Sequence, residues 1–95
     1  MSKILLFEWD EAKNAKTLRE RGLDFDLAAR IFQNEVFEEE DQRRDYGELR
    51  FRATGKVGEL YITVVYTWRG DRRRIISARQ AHRRERDGYR KNFDA

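Results

Sequence analysis

The sequence contains no cysteine, no proline and only one histidine among its 95 residues. Without cysteine it has no disulfide to staple the fold and no thiol to act as a nucleophile. A single histidine leaves a zinc site built on His and Cys short of donors. No carboxylate cluster suggests magnesium, so neither a metal nor a cofactor is expected. The longest apolar run, Leu60 to Trp68, is interrupted by Thr63 and Thr67 and is too short to span a bilayer. No basic stretch followed by an apolar run and a small-residue cleavage site opens the chain, so a cytoplasmic location is expected. Repeats, low-complexity tracts and linkers are also missing. One domain covering residues 1–95, with an adequate but not generous core, is therefore expected.

Charge is abundant but unevenly placed. Residues 1–48 carry 8 Lys/Arg against 13 Asp/Glu, whereas residues 49–95 carry 13 against 5. The basic half suits a polyanion, and the alternative is a solvated surface whose two halves pair with each other. The acidic run Glu38 to Asp41 makes the chain a poor DNA binder by itself.

Hydrophobic periodicity predicts a strand at Ile4 to Trp9, then a helix capped by Asp10 and stopped at Gly22, with Ala12, Ala15 and Leu18 near one face. Asp24 can cap a shorter helix carrying Leu27, Ala28, Ile31 and Phe32. Val36 and Phe37 begin a weak strand that fades into the glutamates. Leu49, Phe51 and Ala53 alternate with Arg50, Arg52 and Thr54 in a half-buried strand. Gly55 and Gly58 bracket a turn into the apolar strand 59–68, Arg69-Gly70-Asp71 turns again, and 72–81 is the last strand. His82 to Phe93 reads as a polar closing helix with Tyr89 and Phe93 on one stripe. This order implies an α+β fold: an antiparallel-rich sheet of four to five strands, two N-terminal helices on one face, and a C-terminal helix. The predicted core contains Leu18, Ile31, Phe32, Phe51, Ile62, Val64 and Ile76.

The most informative segment is Arg74-Ile75-Ile76-Ser77-Ala78-Arg79. Strict alternation places Ile75, Ser77 and Arg79 on one side of the strand and Arg74, Ile76 and Ala78 on the other. Guanidinium groups inside a sheet need anions. Those anions are either carboxylates, in structural ion pairs, or the phosphates of a ligand, which suit the planar forked donor.

Several motifs resemble those of the BrnT toxin family. They are Phe7-Glu8-Trp9-Asp10-Glu11-Ala12-Lys13, Asp45-Tyr46-Gly47-Glu48-Leu49-Arg50-Phe51, Val65-Tyr66-Thr67 and Arg74-Ile75-Ile76-Ser77-Ala78-Arg79, followed by Ala81, Glu85 and Tyr89. The resemblance implies a RelE-like fold and a metal-independent ribonuclease toxin of a type II toxin–antitoxin system that inhibits translation. It also implies a BrnA-type antitoxin partner in a hetero-oligomer, with RNA, including ribosome-associated message, as the target and DNA contacted only through the antitoxin. One departure stands out: where the family typically reads Lys-His-Gly, this chain has Glu20-Arg21-Gly22, and arginine does not give up its proton at usable pH.

Cleavage by a ribose 2′-OH needs a base, donors for the phosphorane oxygens and an acid for the leaving oxygen. Arg50, Arg74 and Arg79 are the electrostatic candidates. Lys13, Glu85, Tyr89 and His82 are the proton-transfer candidates, with Glu85 and Tyr89 one helical turn apart. For Glu85 the alternative is an ion pair with Arg79, and for Tyr89 it is packing against the sheet. Lys13, Arg21, Arg52, Ser77 and Arg83 are candidates for binding RNA, while Tyr66 and Trp68 either stack on bases or pack. A catalytically inactive RNA-, ribosome- or antitoxin-binding module of the same fold is the competing class.

Overall fold

The structure, a computed structural model, describes residues 6–42 and 47–94. Asp45 and Tyr46 of the second motif, and Ile4 and Leu5 of the expected first strand, lie outside the described residues. The chain runs β1 (Phe7–Trp9), α1 (Glu11–Arg21), α2 (Phe25–Ala29), a 3-10 turn (Arg30–Gln33), β2 (Phe37–Glu40), β3 (Phe51–Val57), β4 (Leu60–Arg69), β5 (Arg72–Gln80) and α3 (Arg83–Phe93). One five-stranded sheet has the order β1-β5-β4-β3-β2. Strands β2 to β5 form an antiparallel meander, and β1 lies parallel to β5, so the sheet is mixed. No helix of the described residues is long and apolar enough to cross a membrane.

Helix ends follow the sequence signals. The Asp10 carboxylate accepts from the Ala12 and Lys13 amides, at 2.8 and 3.1 Å, and Asp24 accepts from the Leu27 amide at 2.8 Å. These contacts satisfy first-turn N–H groups that have no partner within the helix. Gly22, in the left-handed conformation, ends α1.

One face of the sheet carries the core. Ala53, Ile62, Val64, Tyr66, Ile75 and Ala78 meet Leu23, Phe25, Ala28 and Ile31 from α2 and its flanks. Phe32 and Phe51 pack against this cluster while remaining partly exposed. Two residues depart from the expected core. Leu18 is 50% exposed, because α1 lies against β5 with no residue of its own buried. Ile76 is only half-buried, and Ile75 takes the core position instead.

The exchange of Ile75 for Ile76 has a definite cause. Tyr66 opposes Ile75, but its neighbour Val65 opposes Ser77, so Ile76 is one residue too many in β5. This β-bulge resets the alternation of faces along the strand. Ile75 and Ala78 both reach the core, and Arg74, Ser77 and Arg79 all turn to the other side. The expected split of Arg74 from Arg79 across the sheet is therefore incorrect.

The expected turn at Gly55 is also displaced. Strand β3 continues through Gly55 to Val57, and the hairpin closes at Gly58-Glu59. A Cβ on Gly55 would come within 2.8 Å of the Ile31 Cβ, so this glycine permits close packing rather than a bend. Leu49, expected in the strand, precedes it and is 63% exposed. Strand β2, by contrast, runs through the glutamates to Glu40, and two of them have partners: Glu38 accepts from the Tyr66 hydroxyl, and Glu39 faces Arg52 and Arg84.

The bulge makes a testable distinction between adjacent isoleucines. Ile75→Ala should cost about 2–5 kcal/mol in urea unfolding. Ile76→Ala should cost under about 1 kcal/mol, and Leu18→Ala about 0.5 kcal/mol or less. Equal losses at Ile75 and Ile76 would contradict the register.

Candidate functional site

Opposite the core face, three strands present a basic surface. Register places Arg79 beside Thr63 and Thr54, then Ser77 beside Val65 and Arg52, then Arg74 beside Thr67. Arg50 continues the β2–β3 ladder, its carbonyl accepting from the Asp41 amide at 2.7 Å, and by alternation from Phe51 it falls on the same face. Val65, only 5% exposed, is the floor between these arginines. Helix α3 covers the end of this face near β2 and β3. Its Gly88 lies so close to the Phe37 ring that a Cβ there would collide with it.

The joint between α3 and the sheet is a buried polar network. Glu85, 4% exposed, receives two hydrogen bonds from Arg79, at 2.7 and 3.0 Å. It also accepts from the Thr63 hydroxyl at 3.0 Å and from the His82 amide at 2.7 Å. Thr63 in turn shares a 2.8 Å hydrogen bond with Thr54. Burial pushes the Glu85 carboxyl upward, but Arg79, the His82 amide and Thr63 together outweigh it and hold the group at about 2. Glu85 is thus a filled, ionised acceptor that fixes the Arg79 fork and the start of α3.

Each of the other three arginines also faces a carboxylate, with decreasing closeness. Arg74 donates to Glu8 at 2.7 Å across the β1–β5 pair. Arg50 lies 3.4 Å from Glu48. Arg52 is only within 4.0 Å of Glu39, and its buried Nε has no hydrogen-bond partner among the described residues. The contest between carboxylate pairing and phosphate binding thus resolves into a layered arrangement: carboxylates at the margins, guanidinium groups at the centre.

The remaining candidates are dispersed. Tyr89 is 6% exposed and packs 5.7 Å from the Tyr61 ring and 5.0 Å from Phe93, and burial raises its hydroxyl. It anchors α3 to the sheet. Tyr66 is buried, its hydroxyl pushed up to about 12 by burial and by the Glu38 carboxylate to which it donates. Trp68 is 45% exposed, with the Arg73 guanidinium 4.5 Å from its ring. Arg21 reaches from α1 to the Ala78 carbonyl at 2.8 Å and stands 3.5 Å from Ser77 Oγ. Lys13 lines a groove beside Ser77, and Arg83 is exposed at the first turn of α3. His82 precedes that turn, its Nδ1 3.9 Å from Glu85.

Sequence reasoning did not foresee the parts played by Glu8, Glu39, Thr54 and Thr63. The threonine at 63 did leave a trace, a polar side chain inside an apolar strand, which is costly unless it is hydrogen-bonded. Among the described residues, no three His, Asp or Glu side chains group to hold a metal ion.

The family of ribonuclease toxins, BrnT, of type II toxin–antitoxin systems matches residues 9–85 of this chain. A crystal structure of the Brucella abortus ribonuclease toxin BrnT is similar in fold, with a TM-score of 0.61 and 28% sequence identity. The match covers 84% of this chain and 100% of that one. No curated protein matches the sequence. The chain belongs to the BrnT family of ribonuclease toxins, and that membership implies an antitoxin partner.

Because the Glu85 carboxyl is depressed in the fold, its contribution is complete above its ordinary value of 4.5 and fades as pH falls toward about 2. Glu85→Gln should therefore cost about 3 kcal/mol at neutral pH. In pH-dependent urea unfolding, its deficit relative to wild type should shrink between pH 4.5 and 2. A deficit independent of pH would show that the Glu85 charge is not what the network holds.

Proposed function

We propose that the arginine face is the RNA-cleaving site of a metal-independent, RelE-like ribonuclease occupying a single domain, with its two N-terminal helices as one cover of the sheet. The observation that carries this reading is the convergence of Arg50 and Arg52 at β3 with Arg74 and Arg79 of β5, from the two strands that flank β4, around Val65 and Ser77. A phosphodiester turning into a phosphorane gains negative charge on its non-bridging oxygens. Preoriented guanidinium forks stabilise that charge without reorganising at the moment of reaction.

In this reading the RNA 2′-OH attacks the adjacent phosphorus and the 5′-oxygen leaves. The products are a 2′,3′-cyclic phosphate and a free 5′-OH. Arg79 and Arg74 hold the phosphorane oxygens, and Arg50 and Arg52 hold the neighbouring backbone. Ser77 offers a hydroxyl between them, with Lys13, Arg21 and Arg83 at the margins. Glu85 is a positioning residue, since it acts through Arg79. Glu85 and Tyr89 are both withdrawn into the α3 joint, which leaves His82 as the solvent-facing group beside Arg79 for proton transfer. In the cytoplasm, the target is message, free or ribosome-bound, and its loss stops translation. A BrnA-type antitoxin presenting acidic groups would oppose RNA on the same face and would supply the DNA contacts of the complex.

Arg74→Ala should lower RNA cleavage by about 10²–10³-fold, the scale for removing one such donor. Arg79→Lys keeps a cation beside Glu85 but loses the fork, and should fall by about 10²-fold. Both are measured on folded protein in excess chelator, with a substrate lacking the scissile 2′-OH as the inert control. Full cleavage by both variants would remove the arginines from the reaction. Salt-dependent RNA binding by wild type without cleavage, alone and on translating ribosomes, would assign the fold to a binding module instead.

A further inference from the structure

A groove of about 150 Å³ lies between α1 and the bulged part of β5, outside the ring of arginines. Lys13, Lys16, Glu20 and Arg21 line it from α1, and Ile76 and Ser77 from β5. It exists because of two features of β5. Strand β1 pairs with β5 only as far as Ile75, so the edge of β5 beyond that point is left for α1 to flank. The bulge then turns Ile76 outward as the groove's apolar floor.

Its charge differs in kind from that of the arginine face. There, every guanidinium is backed by a carboxylate. Here, neither Lys13 nor Lys16 has a carboxylate within 4 Å among the described residues, and both are exposed. Arg21 is pinned by one nitrogen, which donates to the Ala78 carbonyl on the open strand edge. Among the described residues, the rest of its fork makes no hydrogen bond beyond the long contact of that nitrogen with Ser77. Ser77 joins the two regions, since it borders the groove and also sits beside Val65 on the arginine face. Glu20 also borders the groove without pairing with either lysine, so the two cations meet a polyanion with no ion pair to break first.

We infer that this groove is a second phosphate subsite, which holds the linkage next to the scissile one through Lys13, Lys16 and the free arm of Arg21. The inference rests on the ribonuclease reading and deepens it. RNA would pass from the arginine ring over Ser77 into the α1 groove. Contacts of this kind fix register and do not read bases, so the requirement is for a charged neighbouring linkage whatever the nucleotide. Arg21 has a twofold role: it closes the β5 edge and faces the phosphate.

The test uses binding rather than cleavage. A single-stranded 2′-O-methyl RNA oligonucleotide cannot supply the nucleophile, so its affinity can be followed against salt for the intact protein. Replacing Lys13 and Lys16 by alanine, the best helix former, should leave α1 folded. The slope of log affinity against log salt should drop by about 0.7, the loss of one neutralised linkage on a single strand. In a second arm, single methylphosphonates neutralise the linkages on either side of the expected scissile position. One of them should lower the wild-type slope by about 0.7 and leave the double variant's slope unchanged. An unaltered slope in the double variant overturns the subsite and leaves the groove to an acidic protein segment. Equal effects of the methylphosphonate on both proteins overturn it as well. Absence of any RNA binding by wild type would instead overturn the ribonuclease reading itself.

Discussion

The single extra residue in β5 is the constraint on which the rest of the structure depends. A strand of nine residues with uninterrupted alternation would send Arg74 and Arg79 to opposite faces of the sheet. One of them would then enter the apolar layer beneath α2. By looping out Ile76, the strand keeps both Ile75 and Ala78 in the core and delivers Arg74, Ser77 and Arg79 to the same side. The bulge also re-aims Ile76 toward α1. A local departure from regular pairing thus produces the basic face and the groove beside it.

A basic face on a small domain must be stabilised before any ligand arrives, and the acidic half of the chain, joined by Glu85 from α3, does this. Glu8, Glu39 and Glu48 meet Arg74, Arg52 and Arg50 at the margins, and Glu85 meets Arg79 from α3. The opposed charge balances of the two halves are therefore a pairing scheme as well as a polarity. Burial sets the ranking. Glu85 is withdrawn from water and saturated with donors, so its pair with Arg79 is a structural fixture. The Glu39–Arg52 contact is long and leaves a buried Nε without a partner among the described residues, so of these four arginines Arg52 has the most to gain from an incoming phosphate.

Much of this was legible in the residues, for physical reasons that can be named. Asp10 and Asp24 announce helix starts because short acceptors satisfy free first-turn amides. Gly58 and Gly70 mark hairpins, and the apolar run at Leu60 to Trp68 announces a central strand. The ion pair between Arg79 and Glu85 could be weighed beforehand, since a guanidinium near a sheet needs an anion. The bulge could not be read, because Ile75 and Ile76 are chemically identical and either could face the core. Leu18 misled because helical spacing says where a side chain points, not whether anything covers it. Gly55 misled in the opposite way, as its reason for being glycine is Ile31, distant in sequence. Glu8 and Thr54 acquire roles only when β1 and β3 take their places in the sheet.

That the arginines brought together by the bulge act as one phosphate-binding surface can be measured directly. The guanidinium Nε–Hε signals of the protein would be followed by NMR during titration with a 2′-O-methyl RNA oligonucleotide. Arg52, Arg74 and Arg79 should shift together and saturate with a single affinity. If those three stay fixed while other arginines respond, or if Arg74 and Arg79 report separate binding events, the shared surface does not exist.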